Sequence, residues 1–551
     1  MSAFTIFLLA SVSYTCVSID ITYPVFGHNT EGQPAAFGDF DSDELTDMFV
    51  LKDQGRSIEI MFGSNVELFL KPGIQTKCKF NKHQITSVVP GDFNGDALMD
   101  LLQTNKHDND LDVHILWGRL NVLTCPNENK PLFTIIDKPL IINYDNNMVV
   151  DLFGVKRMSD GTTQRMFWLF NSTGNFIEMA MKKYESDEIR IPQLHGFVDI
   201  GGGYKVWLCD SEVNAFIFNQ TISFPDNLKV KNVGQTAFMD LQLKGRMDHI
   251  VPVCFDTQCI NSTIYFYDST CWYNLYIHVY NGNSVWGFVP PMRNVPYLET
   301  ITVCPGDFNM DGYHDLLCTL CLGGNLKITK VILMENVACT TNYLLQATNG
   351  NNNNIMRAFY DFFQNGILDV LLFSGGNGEY NMSAFKSSLD YDANFLKVMV
   401  VSGFTYSQYE MLPNRLGKKS STFGANLPGP KVSYLPQFAY YSLYLPYTIF
   451  GLGRTSNFID ELTVSILNET RSWTQIIPNS QIVIIINSIN DSSRWNAKLF
   501  LTPSRLIFRS AAALAGTCLL ILVTIGVLQF KELQEDRIEK RKEAHKFNFA
   551  M

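Results

Sequence analysis

The stretch TVCPGDFNMDGYHDLLCTL, residues 302–320, decides how the whole chain is read. Asp307, Asn309, Asp311 and Asp315 fall at positions 1, 3, 5 and 9 of a tight loop. Oxygen donors at alternate positions of a turn converge on one point, and hard oxygen donors suit Ca²⁺. Gly312 at position 6 permits the positive φ that such a turn needs. Tyr313 at position 7 offers its backbone carbonyl. An EF-hand would place a Glu at position 12 and a helix on each side. Position 12 here is Cys318, inside an apolar run at 316–320. The fourth carboxylate, Asp315, therefore stands at the mouth of a predicted strand. A solvated Asp/Asn/Gly turn is the plain alternative for one such loop.

The loop recurs. GDFDSDELTDMFVL, from Gly38, places Asp39, Asp41, Asp43 and Asp47 at the same positions, with Leu45 at position 7. GDFNGDALMDLLQT, from Gly91, places Asp92, Asn94, Asp96 and Asp100, with Leu98 at position 7. In all three, Gly-Asp-Phe opens the loop and an aliphatic run closes it, which favours metal binding over chance. Glu44 and Ala97 replace Gly at position 6, where a side chain at positive φ costs on the order of 1 kcal/mol. Weaker copies keep Asp361, Asn365, Gly366 and Asp369 but put Phe363 at position 3. Another keeps Asp240, Gln242, Gly245 and Asp248 but puts Lys244 at position 5. Neither suits Ca²⁺. Segments around Asp151 and Asp199 retain an apolar lead, an Asp, a turn and an apolar run. The anchors Asp39, Asp92, Asp151, Asp199, Asp240, Asp307 and Asp361 recur roughly every 54 residues, near the long end of the period of four-stranded propeller blades. The expected fold is all-β: a seven-bladed β-propeller at 19–415, a small membrane-proximal β-sandwich at 416–505 and one transmembrane helix at 506–530.

These loops resemble the FG-GAP repeats of the integrin α-chain propeller, in which Ca²⁺ loops lie on one face of a seven-bladed ring. The likeness runs from the mature N-terminus to near Gly403. The chain as a whole resembles the T-cell immunomodulatory protein family, also called Linkin or integrin-α FG-GAP repeat-containing protein. The segment SQYEMLPNRLGKKSSTFGANLPGPKVSYLPQFAYYSLYLPYTIFGLGRTSNFIDELTV, residues 407–464, is similar to that family's membrane-proximal region. Integrins differ: they carry long leg domains and Gly-Phe-Phe-Lys-Arg after the membrane, where this chain has Phe530-Lys531-Glu532-Leu533. The resemblance implies roles in cell adhesion and in modulating immune or neighbouring cells. It also implies tubulin and RuvB-like ATPases as cytosolic partners of the tail.

Topology follows from the two ends. Residues 1–18 form an apolar run ending in small residues, an imperfect signal peptide without a basic n-region. Residues 510–530 carry no charge and are long enough to cross a bilayer. The tail 531–551 holds six Lys/Arg and five Asp/Glu, which suits the cytoplasm. A type I cell-surface protein is expected. Of 12 cysteines, Cys16 leaves with the signal and Cys518 lies in the span, so an even set remains for disulfides. Cys254 and Cys259 flank a short loop and are the expected pair. Cys318 and Cys321 form a lone C-x-x-C without a second knuckle, so a zinc or redox site is not expected. Sequons stand at Asn171, Asn219, Asn261, Asn381, Asn468 and Asn490, each an acceptor in the secretory lumen.

The chain's 17% charged residues, 13% aromatics and net charge of −10 fit a β-rich body and argue against nucleic-acid binding. Catalytic signatures are missing: no H-E-x-x-H, no G-x-S-x-G, no P-loop. The Gly201-Gly202-Gly203 run lacks the Lys and helix of a phosphate loop and reads as a strand turn. The reading is therefore not an enzyme but a Ca²⁺-stabilised surface protein that binds an unnamed extracellular protein. The alternatives are a secretory-pathway assembly factor and a membrane-tethered phospholipase-type hydrolase. The latter needs a further domain for which residues 420–505 leave little room.

Overall fold

The computed structural model describes residues 19–119, 122–181, 196–199, 204–209, 215–217, 220–222, 230–244, 248–267, 271–275, 279–281, 284–292, 298–336, 343–347, 354–376, 379–387, 393–404, 424–427, 437–438, 443–454, 458–466, 469–501 and 505–548. The expected signal peptide, the Gly201–Gly203 turn and the sequons at Asn219 and Asn468 lie outside the described residues. Two compact units divide the chain, Met1–Phe500 and Leu501–Met551.

The first unit is built from many small, mainly antiparallel sheets. The first sheet shows the logic. Gln33–Gly38, Asp47–Lys52, Ser57–Gly63 and Leu70–Lys79 pair in sequence order. DMFVLK, the second strand, is buried nearly throughout, as a continuous apolar run must be when both faces are covered. Leu70–Lys79 alternates buried and exposed residues and carries lysines, which suits an edge open to water. The same order recurs in sheets spanning 85–135, 140–180, 196–222, 232–275, 279–347 and 354–386. Strand Gln437–Phe438 joins the 196–222 sheet, against Gly196 and Phe197.

Neighbouring sheets share apolar cores. Leu102, Val113 and Ile115 of the second sheet pack in one cluster with Leu152, Met166 and Trp168 of the third. Met239, Ile250 and Phe266 of the fifth pack with Leu316, Leu320 and Ile332 of the sixth. The last of these sheets meets the first. Met356, Tyr360, Leu371 and Met382 share a core with Phe37, Met48, Ile58 and Ile60. The strand Ile19–Asp20 also pairs with Glu379–Lys386, Ile19 opposite Lys386 and Asp20 opposite Phe385.

Close approach explains the glycine of Gly-Asp-Phe. A Cβ on Gly38 would lie 2.5 Å from the Met99 sulfur of the next sheet, and one on Gly306 would lie 2.8 Å from Phe359 of the sheet after it.

Two disulfides are present among the described residues. Cys254–Cys259 is the expected pair. Cys78–Cys125 was not expected; it ties the edge strand of the first sheet to the segment between strands Val122–Thr124 and Phe133–Ile135 of the second, across 47 residues. Closing a loop of that length stabilises by about 4 kcal/mol in the chain-entropy account. Cys78→Ser with Cys125→Ser should therefore lower the melting temperature measurably, while Cys254→Ser with Cys259→Ser, closing a far shorter loop, should lower it less.

Past residue 390 the arrangement changes. Tyr447–Gly453, Asn394–Ser402, Ser480–Ile486 and Asn496–Leu501 form one sheet, with Asn394–Ser402 parallel to Ser480–Ile486. Ile459–Ile466 and Glu469–Ile476 form a hairpin. Leu396, Val398 and Ile484 of the sheet share a core with Leu462, Val464 and Ile476 of the hairpin. Asn394–Ser402 falls before residue 416, where sequence alone drew the start of this region. Its run NFLKVMVVS is buried along nearly its whole length, and that makes it an interior strand of the later sheet.

The second unit contains one helix, Arg505–Asn548. Within it, Ala511–Glu543 is long and apolar enough to cross a membrane, with mean hydropathy 2.4 in its most apolar window. The helix continues through the charged residues of the tail without a break.

Candidate metal centre

Each described loop between the first and second strands of a sheet has the same backbone. The residue at position 4 is left-handed in six of them: Ser42, Gly95, Asn146, Leu243, Met310 and Gln364 all have φ between 51° and 68°. Position 6 is left-handed too, at Glu44 (73°), Ala97 (73°), Met148 (68°), Gly312 (91°) and Gly366 (75°). Glu44, Ala97 and Met148 hold that conformation without glycine, which is the strain a metal-type turn asks for. The position-6 amides of Glu44, Ala97, Gly312 and Gly366 donate to the position-1 carboxylates Asp39, Asp92, Asp307 and Asp361 at 2.9–3.1 Å.

Positions 1, 3 and 5 carry the inward oxygens. In the first loop Asp39, Asp41 and Asp43 place one carboxylate oxygen each within 4.8 Å of one another. No other group of three His, Cys, Asp or Glu meets that distance among the described residues. In the second and sixth loops the position-3 residue is Asn. Asn94 Nδ2 donates to Asp96 at 3.1 Å, and Asn309 Nδ2 donates to Asp311 at 3.1 Å. The position-7 amides of Leu45, Leu98 and Tyr313 donate to the position-5 carboxylates at 2.8–2.9 Å.

Position 9 does something further. Asp47, Asp100 and Asp315 each begin the second strand. One oxygen accepts the position-2 amide, from Phe40 at 2.7 Å, Phe93 at 3.1 Å and Phe308 at 3.0 Å. The other accepts an amide at the end of the third strand, from Gly63 at 2.8 Å, Gly118 at 2.8 Å and Asn336 at 2.7 Å. The carboxylate is a clip between loop and sheet. Each oxygen keeps a second lone pair with which it could also reach a metal.

One loop begins eight residues before its expected anchor. Asp151 is not the lead residue of its repeat but occupies position 9: it accepts from Tyr144 at 2.7 Å and from Phe170 at 2.9 Å. The loop proper is Asn143-Tyr144-Asp145-Asn146-Asn147-Met148-Val149-Val150-Asp151. Its Asn147 amide donates to Asp145 and its Val149 amide to Asn147, the register of the other loops. The alternate Asn/Asp pattern was there to be counted, but no Gly-Asp-Phe announced it. Here Asn147 Nδ2 donates to both Asp145 and the Phe170 carbonyl. An amide fills the role that a cation could take.

Burial sets the electrostatics. It pushes Asp41 up to about 7, with Asp43 beside it adding to the effect, and Asp307 up to about 7, with Asp311 adding. Burial also pushes Asp92 up to about 6 and Asp315 to about 8. Asp41 Oδ1 and Asp307 Oδ1 are buried and accept no hydrogen bond. Buried carboxylate oxygens without donors are the donor set for a hard cation, so the residues present fit Ca²⁺. In the seventh loop the positive charge comes from the chain. Burial lowers Lys397 to about 8, against the pull of Asp361 and Asp39.

The thiols of Cys318 and Cys321 are buried and pushed by burial to about 12 and about 11, the surroundings of a structural cysteine. The described sequons Asn171, Asn261, Asn381 and Asn490 are all exposed.

Small sheets with acidic loops, a two-sheet C-terminal region and one long apolar helix define a single-pass, membrane-anchored β protein. The family profile described as "ITFG1, C2 domain" matches residues 422–500. The human T-cell immunomodulatory protein is 33% identical, the alignment covering 96% of this chain and 94% of that protein. The Plasmodium falciparum T-cell immunomodulatory protein homolog is 25% identical over 94% of this chain and 87% of its own. Protein linkin of Caenorhabditis elegans is 24% identical over 94% and 95%. The chain belongs to the T-cell immunomodulatory protein family.

Proposed function

We propose that this protein is a type I cell-surface glycoprotein whose ectodomain is a calcium-stabilised seven-bladed propeller. Its domains would be a signal peptide at 1–18, the propeller from 19 and a C2-type sandwich before the membrane. A transmembrane segment near 506–530 and a cytoplasmic tail would follow. Its role would be recognition of another protein in adhesion or in modulating neighbouring or immune cells, as the names of its relatives suggest. We propose no enzymatic activity.

The observation that carries the calcium reading is the buried, donor-free oxygen of Asp41 and of Asp307, set in loops of one repeated backbone. What supports the propeller is the succession of shared cores and the pairing of Ile19–Asp20 with the sheet at 354–386. What supports glycosylation is the exposure of four sequons.

Calorimetric titration of the metal-stripped full chain in detergent tests the reading. Ca²⁺ should bind at the loops led by Asp39, Asp92 and Asp307, and Asp41→Ala with Asp43→Ala should remove one site. No heat of binding in the wild type would reduce the loops to turns. Biotinylation of intact cells should label the protein, and labelling only after permeabilisation would place it inside the secretory pathway instead.

A further inference from the structure

The seventh loop, 361–369, has the backbone of a metal loop without its ligands. Asp361 is fully buried and accepts the amides of Asn365 and Gly366 at 3.0 and 3.1 Å. Phe363 stands where a position-3 oxygen would be. The strand Asn394–Ser402, which pairs with Tyr447–Gly453 and Ser480–Ile486 of the C2-type region, lies against this loop. A Cβ on Gly366 would sit 2.2 Å from the Phe395 ring, so only glycine lets that ring seat there.

Two residues on, Lys397 is 2% exposed. Its Nζ donates to Gln364 Oε1 of the loop at 2.6 Å and lies 3.8 Å from the centre of the Tyr447 ring. A buried ammonium needs an anion, an acceptor or an aromatic face. Lys397 has the acceptor and the ring, and Asp361 and Asp39 are the carboxylates whose charge acts on it.

The contacts continue beside it. Gly451 donates its amide to Asp307 Oδ2 at 2.9 Å, and Gly453 donates to the Met310 carbonyl at 3.1 Å. The acidic loops of sheets six and seven therefore contact the chain's own C-terminal region, with Asp311 of the sixth left exposed.

We propose that Lys397 is the resident cation of the seventh loop: held by Gln364 of that loop and the Tyr447 ring, with the buried Asp361 carboxyl close by, its ammonium takes the place of a metal ion there and locks the C2-type sheets onto the loop end of the β-sheet body. The proposal stands whether or not the other loops bind calcium. It assigns to this face a joint within the molecule, so a protein ligand would have to dock elsewhere.

Hydrogen exchange on the full chain in detergent, with chelator present, tests it through a charge cycle. Lys397→Met leaves the buried Asp361 carboxyl with its two amide donors but without a neighbouring cation. Exchange should rise at least ten-fold in 394–402 and 447–453 and stay unchanged in the strands of sheets two and three. Asp361→Asn, which takes away the carboxylate nearest in charge to the ammonium and leaves it only Gln364 and the Tyr447 ring, should loosen the same segments. The double variant removes both charges and should recover much of the protection. Lys397→Arg should stay close to wild type in protection. Wild-type exchange in Lys397→Met would overturn the proposal. So would a double variant as loose as the two single effects combined, because packing alone would then hold the joint.

Discussion

Asp315→Ala should destabilise the chain by about 4 kcal/mol, while Asp311→Ala, four residues earlier, should cost about 1 kcal/mol or less in chelator. The carboxyl of Asp315 is fully buried and holds two amides, those of Phe308 and Asn336. Removing it leaves both N–H groups without a partner where water cannot enter, at about 1–3 kcal/mol each. Asp311 is exposed and accepts only from Asn309 and Tyr313 within its own loop. Thermal melts in chelator separate this structural effect from any metal. Adding Ca²⁺ should then stabilise the wild type but not Asp311→Ala at the sixth loop. Equal losses for the two variants in chelator would mean that the clip does not hold the sheet together.

A second large effect concerns pH. In chelator, stability should fall as pH rises from about 4 to about 8. Asp41 and Asp307 at about 7, and Asp315 and Asp369 at about 8, are raised chiefly by burial. A carboxyl that binds its proton more tightly folded than unfolded stabilises fully below its unfolded value near 3.9. That contribution is lost as pH climbs through the folded value. Asp53 and Glu128, lowered in the fold, run the other way, but they are nearly unburied and screened by water. The buried His249, lowered to about 3, and His114 and His314, also lowered by burial, run the other way below the usual imidazole range and are outnumbered by the raised carboxyls. On the calcium reading proposed above, Ca²⁺ should reverse the trend for the loops led by Asp39, Asp92 and Asp307, because it selects the ionised form. The rise in melting temperature on adding Ca²⁺ should be small at pH 5 and several-fold larger at pH 8. A rise independent of pH would mean that calcium acts away from these carboxyls.

Much of this was legible in one repeated grammar. Gly-Asp-Phe with oxygens at alternate positions located three loops, and Asp240 and Asp361 located two degenerate ones. The first strand, the loop and the second strand of those sheets follow from that spacing. The loop at Asn143 escaped because its lead residue is an amide and its second residue is Tyr144, half exposed where Phe40, Phe93 and Phe308 are buried. The clip at position 9 escaped for another reason. Its second partner lies on the third strand, 16 residues beyond Asp47 and 21 beyond Asp315, a contact made by sheet register and not by local pattern. Cys78–Cys125 is of the same kind. So is Lys397, whose role depends on a strand that reads in sequence as one more apolar run.

The pairing of Ile19–Asp20 with Glu379–Lys386 sets a clock on biosynthesis. The first strand leaves the ribosome long before its partner exists. At about 5–20 residues per second, roughly 20–70 s separate the two. During that interval the first sheet lacks the apolar surface of Met356, Leu371 and Met382 that later covers it. A chaperone that shields residues 19–63 during translation would act on a vulnerability written into the topology, and truncating the last paired sheet would leave that vulnerability permanent.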